Sequence, residues 1–397
     1  MNKIPVTSHI IFIITLGLLS MLPPLAVDMY LPALLAISTD LNVEAENSQY
    51  TLTFFAYGMA LGQLCWGPIS DSMGRKPIIL LGIAISSFIA LCLPNITSII
   101  TFTLLRFIQG FFASASVVVV GALLRDLFNK NELSKIMSSV SLVFMVAPLL
   151  APIIGGYIVT YAHWSIIFYI IGFMGVVSLY LVWRLIPETH RLENRIPLNW
   201  RIVVQNFIQF WQRKTIRGYI LATSFSFGGL FAVITTGSIV YIGVYGISPA
   251  QFGYFFILNI LVMIGVAFLN RKWVVHWGTE MMLRIGLTLQ FIAGVWLVLT
   301  QLFDLGFWSM TFGIALFVGQ NSLISTNTMA SVLTQFPTLA GTANSLIGGI
   351  RFATGAIVGS CITILQINSA APMLYTMFCC TLIASIGYYG LTYRCIR

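Results

Sequence analysis

Apolar stretches of roughly 20 residues recur along the whole chain, separated by shorter, more polar breaks. At about 1.5 Å per helical residue, such a run crosses the ~30 Å hydrocarbon core of a bilayer. The strands of a membrane barrel would instead alternate polar and apolar residues over segments of about ten. The runs here are continuous. Twelve are read, over 9–33, 49–70, 77–95, 98–124, 134–159, 163–186, 217–244, 250–271, 282–301, 306–329, 342–366 and 371–392. The pattern predicts an all-α polytopic membrane protein. Its first run, HIIFIITLGLLSMLPPLAV, has the length of a span, lacks a small-residue cleavage site and is followed by more spans, so it reads as a span and not as a secretion leader.

The widest break is PETHRLENRIPLNWRIVVQNFIQFWQRKTIR, residues 187–217. It divides the chain into a first bundle of six helices over 1–186, a linker over 187–216 and a second bundle of six over 217–397. Within the linker, Trp200 to Trp211 is amphipathic and is expected to lie along the membrane surface.

Composition agrees with this pattern. Of the 397 residues 58% are apolar and only 8% charged, where a soluble domain carries about 25% charged residues. The net charge of +9 follows from topology. With the N-terminus inside, the inner segments hold Lys3, Arg75, Lys76, Arg125, Lys130, Lys135, the seven basic residues from Arg184 to Arg217, then Arg271, Lys272, Arg284, Arg394 and Arg397: 18 of the 20 basic residues. The outer loops hold none and carry Asp40, Glu44, Glu46 and Asp304. This is the positive-inside rule. It places both termini in the cytoplasm of a bacterial-type cell and removes nucleic acid as a partner. The six Cys (Cys65, Cys92, Cys361, Cys379, Cys380 and Cys395) lack zinc spacing and read as apolar filler, so neither metal nor cofactor is expected.

Several motifs fall at the ends and in the middle of the spans. Gly67-Pro-Ile-Ser-Asp71-Ser-Met-Gly74-Arg75-Lys76 fits the pattern G-x-x-x-D-x-x-G-R-[RK], and Arg106-Phe-Ile-Gln109-Gly110 fits R-x-x-Q-G. Ala147-Pro148-Leu-Leu-Ala151-Pro152-Ile-Ile-Gly155-Gly156 lies in the fifth span. Asp28-Met-Tyr-Leu-Pro32, Arg125-Asp126-Leu-Phe and Gly341-Thr-Ala-Asn-Ser complete the set. In this order, in a chain of six plus six spans, they resemble the major facilitator superfamily. Within it they are most similar to the drug:proton antiporters of the bicyclomycin- and chloramphenicol-resistance (Bcr/CflA) branch.

The resemblance implies alternating access between two halves, a small-molecule cargo, a proton gradient as energy source and a monomer. It assigns Gly67, Asp71, Gly74, Arg75, Lys76 and Arg125 to an inner gate, with Asp71 near the start of the eleventh span and Arg125 as its candidate ionic partner. It also implies that Gly155 and Gly156 pack on the eighth span. The residues themselves support such roles. Gly67 and Gly74 allow a close approach and a tight turn, and Pro77 suits a first helical turn. Pro148 and Pro152 bend their helix.

Three charges are placed within the spans: Asp28, Arg106 and Arg351. A charge there costs several kcal/mol or more unless it faces a cavity or a partner. Counting rise along the first and fourth spans puts Asp28 and Arg106 in the same outer half of the membrane, where they are expected to approach. A carboxylate whose neighbouring guanidinium can move is a proton-coupling device. Arg351 is a candidate contact for an anionic or carbonyl-bearing cargo. Tyr30, Tyr57, Gln63, Gln109, Phe227, Phe231, Asn259, Gln320 and Asn321 are candidate walls of an apolar cavity with a few polar groups. A physiological cargo such as a siderophore, peptide or amino acid is the alternative to a drug. No nucleophile–His pair and no GxxxxGK[ST] motif points to an enzyme or a nucleotide-driven pump.

Overall fold

Three of the described helix starts carry capping side chains. Ser98 Oγ accepts from the Thr101 N–H, and Asn199 Oδ1 from the Arg201 N–H at 3.0 Å. Ser248 and Gln251 form a reciprocal capping box ahead of Pro249. The computed structural model describes residues 6–128, 130–190, 193, 195, 197–335, 340–365 and 369–393, and is built of helices and short connections. Lys3, Arg191, Arg394, Cys395 and Arg397 lie outside the described residues.

The helices before the linker are α1 (Val6–Asp28), α2 (Leu34–Asp40), α3 (Ala45–Met73), α4 (Arg75–Cys92), α5 (Ile99–Leu127), α6 (Lys130–Tyr161) and α7 (Ser165–Leu185). The linker contains α8 (Trp200–Gln212). After it come α9 (Lys214–Ser238), α10 (Pro249–Leu302), α11 (Gly306–Gln335), α12 (Ala340–Thr363) and α13 (Ala371–Gly387), with π-turns extending α9 over Ile239–Val244 and α13 over Tyr388–Tyr393. Among the described residues ten helical segments are long and apolar enough to cross a membrane. This is a multi-pass membrane protein.

Two differences from the expected spans have local causes. The first span does not end at residue 33. Its helix breaks after Asp28, turns through Leu31–Ala33 and resumes as α2 to Asp40. The second difference is at α10, whose 54 residues would measure about 81 Å if straight. It is two arms joined at Gly278 (φ 74°, ψ 164°), so the loop expected over 272–281 shrinks to one residue. Gly74, between α3 and α4, has nearly the same conformation (φ 105°, ψ 159°). Both positions lie in the region open to glycine and costly for other residues. The two parts of the chain thus repeat one device at corresponding places.

Within the first part α3 packs on α5, α4 on α5 and α7, and α1 on α6; within the second, α9 packs on α12 and α13, and α10 on α11. The two parts meet along two seams, α3 with α12 and α6 with α10. Both seams are lined by glycine. Gly349 faces Leu64 and the Ala60 carbonyl, Gly348 lies under the Gln63 amide, and Gly67 faces Ser345. At the other seam Gly156 lies on the backbone of Pro249 and Ala250, and Gly253 on that of Pro152 and Ile153.

Gly155 does not join Gly156 on α10. It lies against the Met29 backbone just past the end of α1. Successive residues on a helix point in different directions, so this Gly-Gly pair serves two neighbours at once. Replacing Gly156 by Val would drive Cβ into the Pro249 carbonyl oxygen. A cost of about 1–3 kcal/mol is expected from such overpacking. It should appear as a lower melting temperature of the purified protein, and an unchanged value would show that the seam yields freely.

Candidate functional site

Arg106 is the largest fully buried side chain described. Among the described residues no carboxylate pairs with it. Nη1 donates to Gln109 Oε1 at 2.7 Å and Nη2 to the Ala26 carbonyl at 2.9 Å. The guanidinium lies over Phe55 at 4.4 Å and Tyr30 at 4.9 Å from the ring centres, within reach of a cation–π attraction. The Ala26 carbonyl is free for a reason. In a continuous helix its donor would be the Tyr30 N–H, but that group bonds to Val27 instead because the helix stops at Asp28. Arg106 fills the vacancy, so one side chain of α5 secures the break in α1.

Asp28 sits at that break, half-buried, and its carboxylate forms no ion pair or hydrogen bond among the described residues. The expected approach of Asp28 and Arg106 is therefore not an ion pair in this structure. The rise along two helices placed them at a similar depth, but the break turns the Ala26 carbonyl, and not the Asp28 side chain, towards the guanidinium.

The candidate wall residues separate into three groups. Tyr30 is packed against Phe102 and Phe168, with its hydroxyl 2.6 Å from Thr51 Oγ1, so it belongs to the core and not to a cavity wall. Gln109 is spent on Arg106, and Asn321 holds the Ser226 carbonyl at 2.9 Å. Gln320 donates to the Leu316 carbonyl within its own helix, and Asn259 is buried on α10. The third group lies between the two parts of the chain. Tyr57 is 3.3 Å from Ser360 across the α3–α12 seam, Gln63 lies over Gly348, and Phe227 and Phe231 pack together with Phe352. Arg351 places its guanidinium over Phe227 at 4.9 Å.

The loop after α3 is a second cluster. Asp71 pairs with Arg75 at 2.6 Å, four residues along, and Arg75 also reaches Asp126 at 3.3 Å. Arg125 does not pair with Asp71. It is exposed and its Nε donates to the Gly121 carbonyl at 3.1 Å. Asp71, Arg125, Gly341 and Thr342 line one cavity of about 520 Å³, closed on one side by Asn199, Val203 and Phe207. So the residues expected to latch face each other across open space, and the nearer Arg75 takes the carboxylate.

Two acidic residues, Glu188 here and Glu280 at the matching turn of the second part, escaped the reading of the sequence, and Asp126 was read only within a motif. Glu188 accepts the Arg75 and Lys76 N–H groups at 3.0 and 3.2 Å and so caps α4 from the linker, while the Lys76 ammonium donates to the Trp183 carbonyl at 2.8 Å. Asp126 also accepts from Thr189 at 3.2 Å. Glu280, two residues past Gly278, accepts the hydroxyls of Tyr219 and Tyr388, the latter at 2.7 Å. An acid just beyond a glycine that turns two spans was the available signal for Glu280. For Glu188 it was an acid directly after the sixth span.

Two lobes of long apolar helices meeting along glycine seams, with a charged loop at one end and polar groups between the lobes, define a membrane transporter. The profile of the Major Facilitator Superfamily matches residues 16–360, and the chain belongs to that family. It is 58% identical to the "Bicyclomycin resistance protein homolog" of Haemophilus influenzae, over 98% of each chain. It is 28% identical to the "Chloramphenicol resistance protein" of Pseudomonas aeruginosa, over 93% of this chain and 87% of that one. The solved D-xylose-proton symporter superposes with a TM-score of 0.75 at 14% identity, covering 96% of this chain and 97% of that one, which shows a shared fold. The resemblance read from the motifs is thereby borne out.

The clasp on Ala26 yields a prediction. Arg106→Gln removes the charge and leaves the Ala26 carbonyl without its donor. A loss of about 2 kcal/mol or more is expected from an unmet buried partner. A thermal melt of the purified protein would show it, and an unchanged melting temperature would mean that the break in α1 stands without Arg106.

Proposed function

We propose that this chain is a proton-coupled exporter of amphipathic small molecules in a bacterial cytoplasmic membrane, acting as a monomer by alternating access. Ten apolar segments, together with the more polar α3 and the division of α10 at Gly278, support twelve spans. Six precede the linker and six follow it, as units over 1–186 and 217–397 joined by 187–216. The concentration of Lys and Arg at the linker end supports a cytoplasmic location for that end and for both termini.

The cycle follows from where the two units touch. At the far end the units are joined by α6 on the start of α10, by Tyr157 with Tyr254 (2.9 Å between hydroxyls) and by Leu35 beside Gly243. At the linker end the cavity beside Asp71 and Arg125 lies between them. These outer contacts, beside a cavity at the linker end, support reading this as a state closed outward with its inner gate not latched. In the opposite state Asp71 would approach the N-terminus of α12, where a carboxylate is favoured by unpaired N–H groups and the helix dipole. Gly67, Gly74, Arg75, Lys76 and Arg125 would shape that inner gate. The kink at Pro148 and Pro152, with Gly155 and Gly156, would let the outer seam close.

Asp28 carries the coupling in this reading. The observation that supports it is a half-buried carboxylate within a span, at a helix break, without an ionic partner among the described residues. The Asp28 carboxylate would take a proton from the outer side when cargo leaves and release it inward before the next cargo is carried. Arg106 acts on Asp28 through the backbone of α1, by fixing the turn that presents it. The names of the relatives make chloramphenicol and bicyclomycin the first cargoes to try.

The test uses inverted vesicles energised by a proton gradient. Wild type is expected to accumulate cargo and to release protons in step. Asp28→Asn should keep binding cargo but lose gradient-driven accumulation by about tenfold or more. Accumulation at the wild-type rate by Asp28→Asn would remove Asp28 from the coupling.

A further inference from the structure

Both arginines inside the spans must be accounted for, because a charge in this environment is costly without partners. Arg106 is clasped by Gln109, Ala26 and two aromatic rings. Arg351 is not. Among the described residues its side chain donates no hydrogen bond and meets no carboxylate, and its Nε is buried without a partner. Its described contact is the face of Phe227. It lies eleven residues into α12, about 16 Å from the helix start and so near the middle of the span.

The helix turns Arg351 away from lipid. Past the first two turns of α12, which border the cavity at the linker end, its exposed residues are Ile357 and Cys361. Gly348, Gly355 and Gly359, three, four and eight positions from Arg351, share its face and touch Gln63 of α3 and Phe227 and Phe231 of α9. The guanidinium therefore sits on the face of α12 turned to its neighbours, over the Phe227 ring, and Gln63, whose Nε2 is buried without a partner, lies against Gly348 one turn away on that face. Two donors that no described hydrogen bond satisfies thus lie on this face, with the Phe227 ring beside one of them.

We infer that Arg351, with Phe227 and Gln63, forms the recognition point for a planar cargo bearing an anionic or strongly accepting oxygen group, so that the transporter selects carboxylates and related acceptors over cations. The inference rests on the export reading for the identity of the site as a cargo site. Arg351 and Gln63 supply donors to the oxygen group, and Phe227 supplies the stacking surface for the ring carrying it. A cationic cargo would face an uncompensated like charge in a low-dielectric cavity.

Equilibrium dialysis of the purified full chain tests this with naphthoate, its methyl ester and naphthylmethylammonium, which share one ring system and differ in charge. Wild type is expected to bind naphthoate about tenfold or more tightly than the ammonium compound, with the ester between them. Arg351→Gln should abolish the preference while the ester's affinity changes by less than about threefold, and Arg351→Lys should retain part of it. The inference falls if wild type binds the ammonium compound as tightly as naphthoate, if it binds no naphthoate, or if Arg351→Gln keeps the preference. The wild-type comparison decides the matter even where a variant fails to fold. Because binding is measured without a gradient, carboxylate-selective binding without efflux in vesicles would leave the site standing and overturn the exporter reading. Efflux without the preference would do the reverse.

Discussion

A buried backbone carbonyl without a donor is intolerable where no water can reach it, and much of this structure is arranged around one such group. The helix of the first span stops at Asp28, and the Ala26 carbonyl loses its donor as a result. The Arg106 guanidinium supplies it from α5. To do so the arginine must itself be buried, so Gln109 orients it and the rings of Phe55 and Tyr30 cover it. Tyr30 in turn anchors the cluster of Phe102, Trp164 and Phe168. The aromatic core at this end of the first unit is built outward from a single hydrogen bond.

The same break is packed next to the outer contact of the two units. Because the chain bends after Asp28, the Met29 backbone comes within reach of Gly155, while Gly156 rests on α10. Neighbouring residues of α6 thus bear on different halves of the molecule. The α3–α12 seam also uses a glycine pair, but there Gly348 and Gly349 both receive α3, at Gln63 and Leu64. Small residues let backbones approach closely without interlocking side chains, and such surfaces can slide. The positive-φ glycines Gly74 and Gly278 then turn each unit's helices at equivalent places.

The helices were legible because a bilayer demands long apolar runs, and the motifs located both seams and the charged loop. The sequence could not show where side chains point. Asp28 and Arg106 share a depth, yet rotation of α1 at its break decides which atom of that turn meets the guanidinium. Asp71 had two arginines within range. Arg75, one helical turn away, takes it here, because Arg125 lies across the open cavity. The run 250–301 read as two spans and a loop because Arg271, Lys272 and His276 are polar; the backbone stays helical through them and bends only at Gly278. Glu188 and Glu280 were missed because a cap or a tyrosine clamp from a distant helix leaves no local pattern.

The arrangement of charge between the units has an electrical consequence. Among the described residues Asp28 and Arg351 each lack an ionic partner, so neither cancels the other. If Asp28 carries one proton inward per turnover, the current that accompanies transport is set by the cargo. A cation leaving would balance the proton and make the exchange silent to the membrane voltage, a neutral cargo would move one charge, and an anion would move two. One protein could thus draw on the chemical part of the proton gradient for one cargo and on the membrane potential as well for another.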